Sequence, residues 1–310
     1  MTKYGIIYCP RHEGLKSVKK RRETIEASLK RHGLDYDLVQ SENADSVERL
    51  VTMMIHNGYE NIIICGGDSA LGDAVNCLMR EEKEMRERIC LGVIPNGVLN
   101  DFAKFWGFND KDVDSVIESL KVHRVRRIDV GRMNFTDRDG KKSVRYFINC
   151  VNVGLIANIQ KLRRDTRKVF WSRKLSFAIS FFLHIFQRGY WKMQYTINYE
   201  SESHRVMALC VGNAFGFGQT PNAVPYNGML DVTVIRNSAV THTLFGFLLF
   251  LRGKILNHKW VRPYRGRDVS LELPKNTPLS VDGSVLSSID TSQQIKMAVE
   301  QETINFIIEK

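Results

Sequence analysis

The sequence predicts an α/β protein: an N-terminal parallel α/β domain followed by a C-terminal antiparallel, β-rich, sandwich-like domain. Three observations predict it. Residues 1 to 121 alternate apolar strand-like runs with segments of helical period, and two of those runs, Ile62-Ile63-Ile64-Cys65 and Leu91-Gly92-Val93-Ile94, are continuously apolar, as strands covered on both faces must be. From Arg124 onward the pattern becomes a series of shorter alternating segments. A chain of 310 residues suits two cores better than one. The boundary falls near residue 122, dividing the chain into residues 1–122 and 123–310.

Taken in order, the first domain has strands at Gly5 to Cys9, Tyr36 to Val39, Asn61 to Cys65 and Cys90 to Pro95, each leading into a helix. In parallel sheets ligands sit beyond the carboxyl ends of the strands, so the turns of interest are Pro10 to Gly14, Gly66 to Gly72 and Asn96 to Leu99. The second domain has strands at Arg127 to Asn134, Tyr146 to Val153, Met193 to Tyr199, Val206 to Asn213, Asp231 to Arg236, Val269 to Leu273, Ile295 to Val299 and Ile304 to Ile308. A long helix near Ala157 to Arg188 and a shorter one at Thr241 to Arg252 interrupt it.

Composition excludes several classes. With 43% hydrophobic and 25% charged residues, neither half reads as disordered. The apolar runs Phe177 to Phe186 and Leu244 to Leu251 are too short to cross a bilayer, and Met1-Thr2-Lys3-Tyr4 passes straight into a strand, so a cytoplasmic protein is expected. The six cysteines show no C-x-x-C pair and read as reduced core thiols; the eight histidines show no zinc-ligand spacing. The charge of +11 favours anionic partners, among them phosphates, anionic lipids and nucleic acid.

Ile63-Ile64-Cys65-Gly66-Gly67-Asp68 is a buried strand ending in two glycines and an acid, with a helix following. Glycines there let backbone N–H groups approach a phosphate, and the helix N-terminus favours an anion. Pro95-Asn96-Gly97-Val98-Leu99-Asn100-Asp101-Phe102-Ala103 follows the next strand and faces the same ligand.

With these two loops the chain resembles the diacylglycerol-kinase-like lipid kinases, which include sphingosine and ceramide kinases and share a nucleotide fold with NAD kinases. Gly66-Gly67-Asp68-Ser69-Ala70 matches the family's G-G-D-G-T. Pro95, Gly97, Asn100, Asp101, Phe102 and Ala103 match its P-x-G-T-x-N-D-F-A. Arg127 to Arg132, Phe147-Ile148-Asn149, Asn213-Ala214, Asn227 to Val232 and Val281-Asp282-Gly283 resemble its later motifs in order and spacing. The resemblance implies transfer of the γ-phosphoryl group of ATP, with Mg²⁺, to the hydroxyl of a lipid. Gly66, Gly67, Asp68, Ser69, Pro95, Asn96, Gly97, Asn100 and Asp101 would hold the nucleotide. Asp282 would act as general base, Asp68 would organise the nucleotide and metal region, and Asp231 would support Mg²⁺ through water.

The pattern also departs from the family. Ser69 replaces a glycine, Ala70 and Val98 replace threonines, Leu99 replaces a glycine, Ser284 replaces a glutamate and Ile156 an aspartate. The alternative reading is therefore a catalytically impaired homologue that binds nucleotide or lipid as a sensor. Arg163 to Trp191, basic and aromatic around an apolar run, is a candidate for peripheral contact with an anionic membrane at its inner face, or else for domain core. A dinucleotide-dependent oxidoreductase is opposed by the lack of G-x-G-x-x-G, and a nucleic-acid binder by the lack of any recognised module. A homodimer remains open, as does the identity of the lipid.

Overall fold

The computed structural model describes residues 3–10, 15–43, 45–166, 189–216 and 219–309. The chain divides into two compact units: Met1–Val130 together with Gln301–Lys310, and Gly131–Glu300.

The first unit runs β1 (Tyr4–Tyr8), α1 (Leu15–Arg31), β2 (Tyr36–Gln40), α2 (Asp45–His56), β3 (Asn61–Gly66), α3 (Asp68–Leu78), α4 (Lys83–Arg88), β4 (Cys90–Pro95), α5 (Asp101–Phe105) and α6 (Val113–Val122). Its strands lie parallel in the order β2-β1-β3-β4. β3 is buried at every position and β4 at all but Cys90, as continuously apolar strands between helix layers must be. β5 (Val125–Thr136) then leads out of the unit.

The second unit holds β6 (Lys142–Phe147), β7 (Cys150–Gly154), α7 (Leu155–Thr166), β8 (Trp191–Ile197), β9 (Glu200–Gly212), β10 (Leu230–Arg236), α8 (Val240–Leu251), β11 (Val261–Gly266), β12 (Asp268–Glu272), β13 (Leu279–Val281), β14 (Ser284–Val285) and the first part of β15 (Ile295–Ile307), whose remainder belongs to the first unit. Its ladders are antiparallel. β9 organises them, because Glu200 to Val206 pair with β8 while Ala208 to Gly212 pair with β7 on one side and β10 on the other. Alternation does the sorting. Val151, Val153, Leu209, Val211, Val232 and Val234 enter one apolar core, whereas Ala208 and Cys210, on the opposite face of β9, pack with Leu155, Ile156 and Ile159 of α7.

Three elements differ from the sequence expectation. The single strand expected over Tyr146 to Val153 is two, β6 and β7, because the amides of Ile148 and Asn149 bond a side-chain carboxylate instead of a ladder. The strands expected at Ile295 to Val299 and Ile304 to Ile308 are one continuous β15. Its first part pairs antiparallel with β12, and Asn305-Phe306 pair parallel with β4 in the first unit. β11 has no counterpart in the alternation, since Pro263, Tyr264 and Arg265 disrupt it. The helix expected to reach Arg188 is described only to Thr166, and residues 167–188 lie outside the described part. All six cysteines are free; Cys65, Cys77, Cys150 and Cys210 are buried as expected of core thiols, with burial pushing the Cys210 thiol up to about 12, whereas Cys9 and Cys90 are partly exposed.

One contact in the second unit tests the packing. A methyl group built on Gly131 would lie 2.2 Å from the ring of Phe147, which is fully buried. Gly131→Ala should therefore destabilise the protein by about 1–3 kcal/mol through overpacking, and the penalty should shrink in a Phe147→Leu background. Urea denaturation of the four proteins measures this coupling.

Candidate functional site

Three strand ends meet at the carboxyl edge of the first unit. The Cys9 amide donates to Cys65 O at 2.8 Å, the Asn96 amide to Gly66 O at 2.8 Å and the Asn96 side chain to Cys9 O at 2.9 Å. The turns after β3 and β4 then touch directly. A methyl group on Gly67 would lie 2.9 Å from the Gly97 Cα; one on Gly97 would lie 2.4 Å from the Gly67 Cα and 2.5 Å from Asn100 Oδ1. No side chain fits at either position. The glycines are thus required by turn-to-turn packing, and a bulky residue at Gly67 would separate the turns before it met any ligand.

Asp68 joins the turns a second time. Its carboxylate oxygens accept the amides of Phe102 at 3.0 Å and Asp101 at 3.1 Å, capping α5 from the neighbouring turn. Burial pushes the Asp68 carboxyl above its usual range, opposed by those two amides. Asn100 closes the second turn: it takes a left-handed conformation (φ 53°), accepts the Gly97 amide at 2.7 Å and returns a bond to Gly97 O at 3.2 Å. Asparagine tolerates that conformation and supplies both bonds. Ser69, Val98 and Leu99, where the sequence departs from the family, are all exposed, so the departures leave the backbone of the turns intact.

The residues expected to hold a nucleotide, from Gly66 to Ser69 and from Pro95 to Asp101, therefore form one stitched pair of turns. The first turn, at residues 11–14, lies outside the described part. One residue was missed. Arg21 of α1 donates to Pro95 O at 3.2 Å and Asp110 O at 2.8 Å, which anchors a guanidinium at the end of β4. In sequence it is one of a run of cations, and only the fold singles it out.

In the second unit, Asp282 and Gly283 form the tight turn between β13 and β14, both with positive φ, 47° and 83°. The turn is not exposed: Asp282 is 4% accessible. Its Oδ1 accepts the amides of Asn149 (2.9 Å) and Cys150 (3.0 Å), and Oδ2 that of Ile148 (3.0 Å). Asn213 grips the same loop, donating from its side chain to Ile148 O at 3.0 Å. Asp282 is thus a clamp that holds the break between β6 and β7, whatever further role it has. Asp231 is paired with Arg265, whose Nη2 and Nε lie 2.9 and 3.1 Å from Oδ1. Burial raises its carboxyl and Arg265 pulls it back. Arg265 occupies Oδ1 alone, and Oδ2 is buried without a hydrogen-bond partner, so the expected water-mediated support of Mg²⁺ stays a proposal for this residue. Among the described residues no three His, Cys, Asp or Glu side chains gather as a metal site.

Two substitutions test these assignments without any ligand. Gly97→Ala should cost about 3 kcal/mol by urea denaturation, since backbone atoms block the methyl group and cannot turn aside. Asp282→Asn should lose about 1.5–3 kcal/mol, because its NH₂ group would face an amide donor; a shift of the thermal midpoint by several degrees would register it.

Comparison with known proteins agrees with this geometry. Residues 5–133 match the model of the diacylglycerol kinase catalytic domain, and residues 149–300 match that of the YegS C-terminal NAD kinase beta sandwich-like domain. A "Probable lipid kinase YegS-like" of Shewanella frigidimarina is 24% identical over 299 residues, covering 94% of this chain and 90% of its own. A protein of Staphylococcus carnosus named diacylglycerol kinase is 24% identical over 292 residues, covering 90% and 87%. The crystal structure of a diacylglycerol kinase from Bacillus anthracis superposes with a TM-score of 0.68 at 15% identity, over 99% of this chain and 97% of that one. With one model on each unit, their order that of the chain, and relatives spanning nearly its full length, the protein belongs to the diacylglycerol-kinase-like lipid kinase family.

Proposed function

We propose that the chain is an ATP-dependent lipid kinase, transferring the γ-phosphoryl group of Mg–ATP to the hydroxyl of a lipid such as diacylglycerol or a sphingoid or ceramide lipid. The observation that carries the reading is the stitched pair of turns, with Gly67 packed on Gly97 and Asp68 capping α5. It holds the N-terminus of α3, an 11-residue helix, open at the strand ends. Amides there bind anions irrespective of side chain, so the loss of the loop threonines leaves the backbone part of a phosphate site in place. Arg21, fixed at the end of β4, supplies an anchored positive charge.

Phosphoryl transfer asks chiefly for positioning and charge neutralisation. In this reading the turn amides and Arg21 hold the phosphates, and Mg²⁺ arrives with the nucleotide as part of the substrate. The lipid oxygen bonds to phosphorus as the bond to the bridging oxygen breaks, ADP leaves, and the hydroxyl proton passes to a carboxylate. Asp282 is the residue proposed for that proton, with its orientation set by three amides. No step is assigned to Asp231.

Engagement of the Gly97 amide by Asn100 and of Asp231 by Arg265 favours the second reading, a homologue that binds nucleotide or lipid without turnover. A transfer assay with labelled ATP against a panel of lipid alcohols, run beside nucleotide calorimetry, decides between the two. Transfer to any lipid supports the kinase; binding with no transfer to the whole panel supports the sensor. In the kinase, Ser69→Gly, Ala70→Thr and Val98→Thr together should raise turnover or ATP affinity by about tenfold or more, since each recovered bond to a charged phosphate contributes about 1.5–3 kcal/mol.

A further inference from the structure

α8 is apolar on two faces, and only one of them is buried. Val240, Phe247 and Phe250 pack against the α7 core cluster. On the other side Leu244 is 38% exposed, Phe245 54% and Leu248 51%, at the i, i+1, i+4 spacing of a single stripe. Trp260 continues the patch: it is 38% exposed, its ring centroid lies 6.4 Å from that of His242, and Phe245 lies 6.0 Å from His258. Large apolar side chains clustered in water call for an occupant.

Charge says which occupant. Between residues 232 and 267 there are seven Lys and Arg and no Asp or Glu. Arg236 and Arg265 are engaged by Glu202 and Asp231, while the other five are exposed. Arg252 ends α8, and Lys259 lies with its ammonium 5.8 Å from the Trp260 ring centroid. A second copy would bring this cationic rim against itself. An anionic lipid surface complements both parts, since acyl chains receive the stripe and headgroups receive the cations and the tryptophan. At 12 residues the helix is too short to span a bilayer, and its inner face is already committed, so it can only lie in the surface plane.

We infer that the outer face of α8, with Leu244, Phe245, Leu248 and Trp260 rimmed by Arg252 and Lys259, docks the protein on an anionic membrane. This deepens the lipid-kinase reading by giving the enzyme its route to a bilayer-held substrate. The stretch from Arg163 to Trp191, the sequence candidate for membrane contact, lies mostly outside the described residues.

The test is flotation of the full chain with vesicles of phosphatidylcholine alone or with about a third phosphatidylglycerol. The protein should float with the anionic vesicles, less so at high salt. Phe245→Glu/Leu248→Glu and Arg252→Glu/Lys259→Glu should each lower partitioning by about tenfold or more with an unchanged thermal midpoint. No flotation of the unaltered protein, or flotation of either variant equal to that of the unaltered protein, would overturn the docking surface. A lipid-free dimer that Phe245→Glu/Leu248→Glu dissociates would reassign the face to a second copy and overturn it as well. Transfer to a short-chain, water-dispersed lipid is measured in parallel. Its loss in every protein while flotation persists defeats the kinase reading alone, and its retention in variants that no longer float supports docking as a separate function.

Discussion

The carboxylate of Asp68 stands between two turns that are 30 residues apart in the chain, and its two bonds to the amides of Asp101 and Phe102 convert them into one surface. Everything at that edge depends on this junction. Gly67 and Gly97 can touch only because neither has a Cβ, Asn100 takes a left-handed turn to close the loop, and α5 starts where Asp68 satisfies its first amides. A site for phosphate needs backbone amides held still, and here the stillness comes from glycine packing and a carboxylate cap.

The second unit uses the same device at a different place. Asp282 sits in a left-handed turn and gathers three amides from the loop between β6 and β7. A carboxylate satisfied by three charge-assisted bonds is rigid and oriented, which suits the role proposed for it toward a substrate hydroxyl. Any change that removes the carboxylate therefore removes the clamp as well.

The departures from the family pattern divide along a physical line. Ser69, Val98 and Leu99 are exposed and alter which hydroxyls a phosphate would meet, whereas the residues that shape the turns are kept: Gly67, Asp68, Gly97 and Asn100. Packing accounts for these four, since each carries a contact of the junction. The contacts offered to a ligand are free to vary. The exposed stripe of α8 is another such freedom, held from behind by Phe247 and Phe250 and available in front.

Much of the fold was legible in the sequence, because its signals are local. Continuous apolar runs marked β3 and β4, short alternating runs marked the β-rich unit, and the paired glycine motifs located the turns after those strands. The scatter of the cysteines marked them as free thiols, while their burial, at Cys65, Cys77, Cys150 and Cys210 but not at Cys9 or Cys90, was decided by the fold. Long-range partners were not legible. That Asp282 binds amides 132 to 134 residues away, that Asp231 meets Arg265, and that Arg21 anchors at Pro95 depend on strand order and register, which no short window contains. β15 shows the limit: its two halves read as separate strands, and only the tertiary structure decides that one strand pairs antiparallel with β12 and then parallel with β4, because pairing is set by the neighbours a strand finds and not by its own residues.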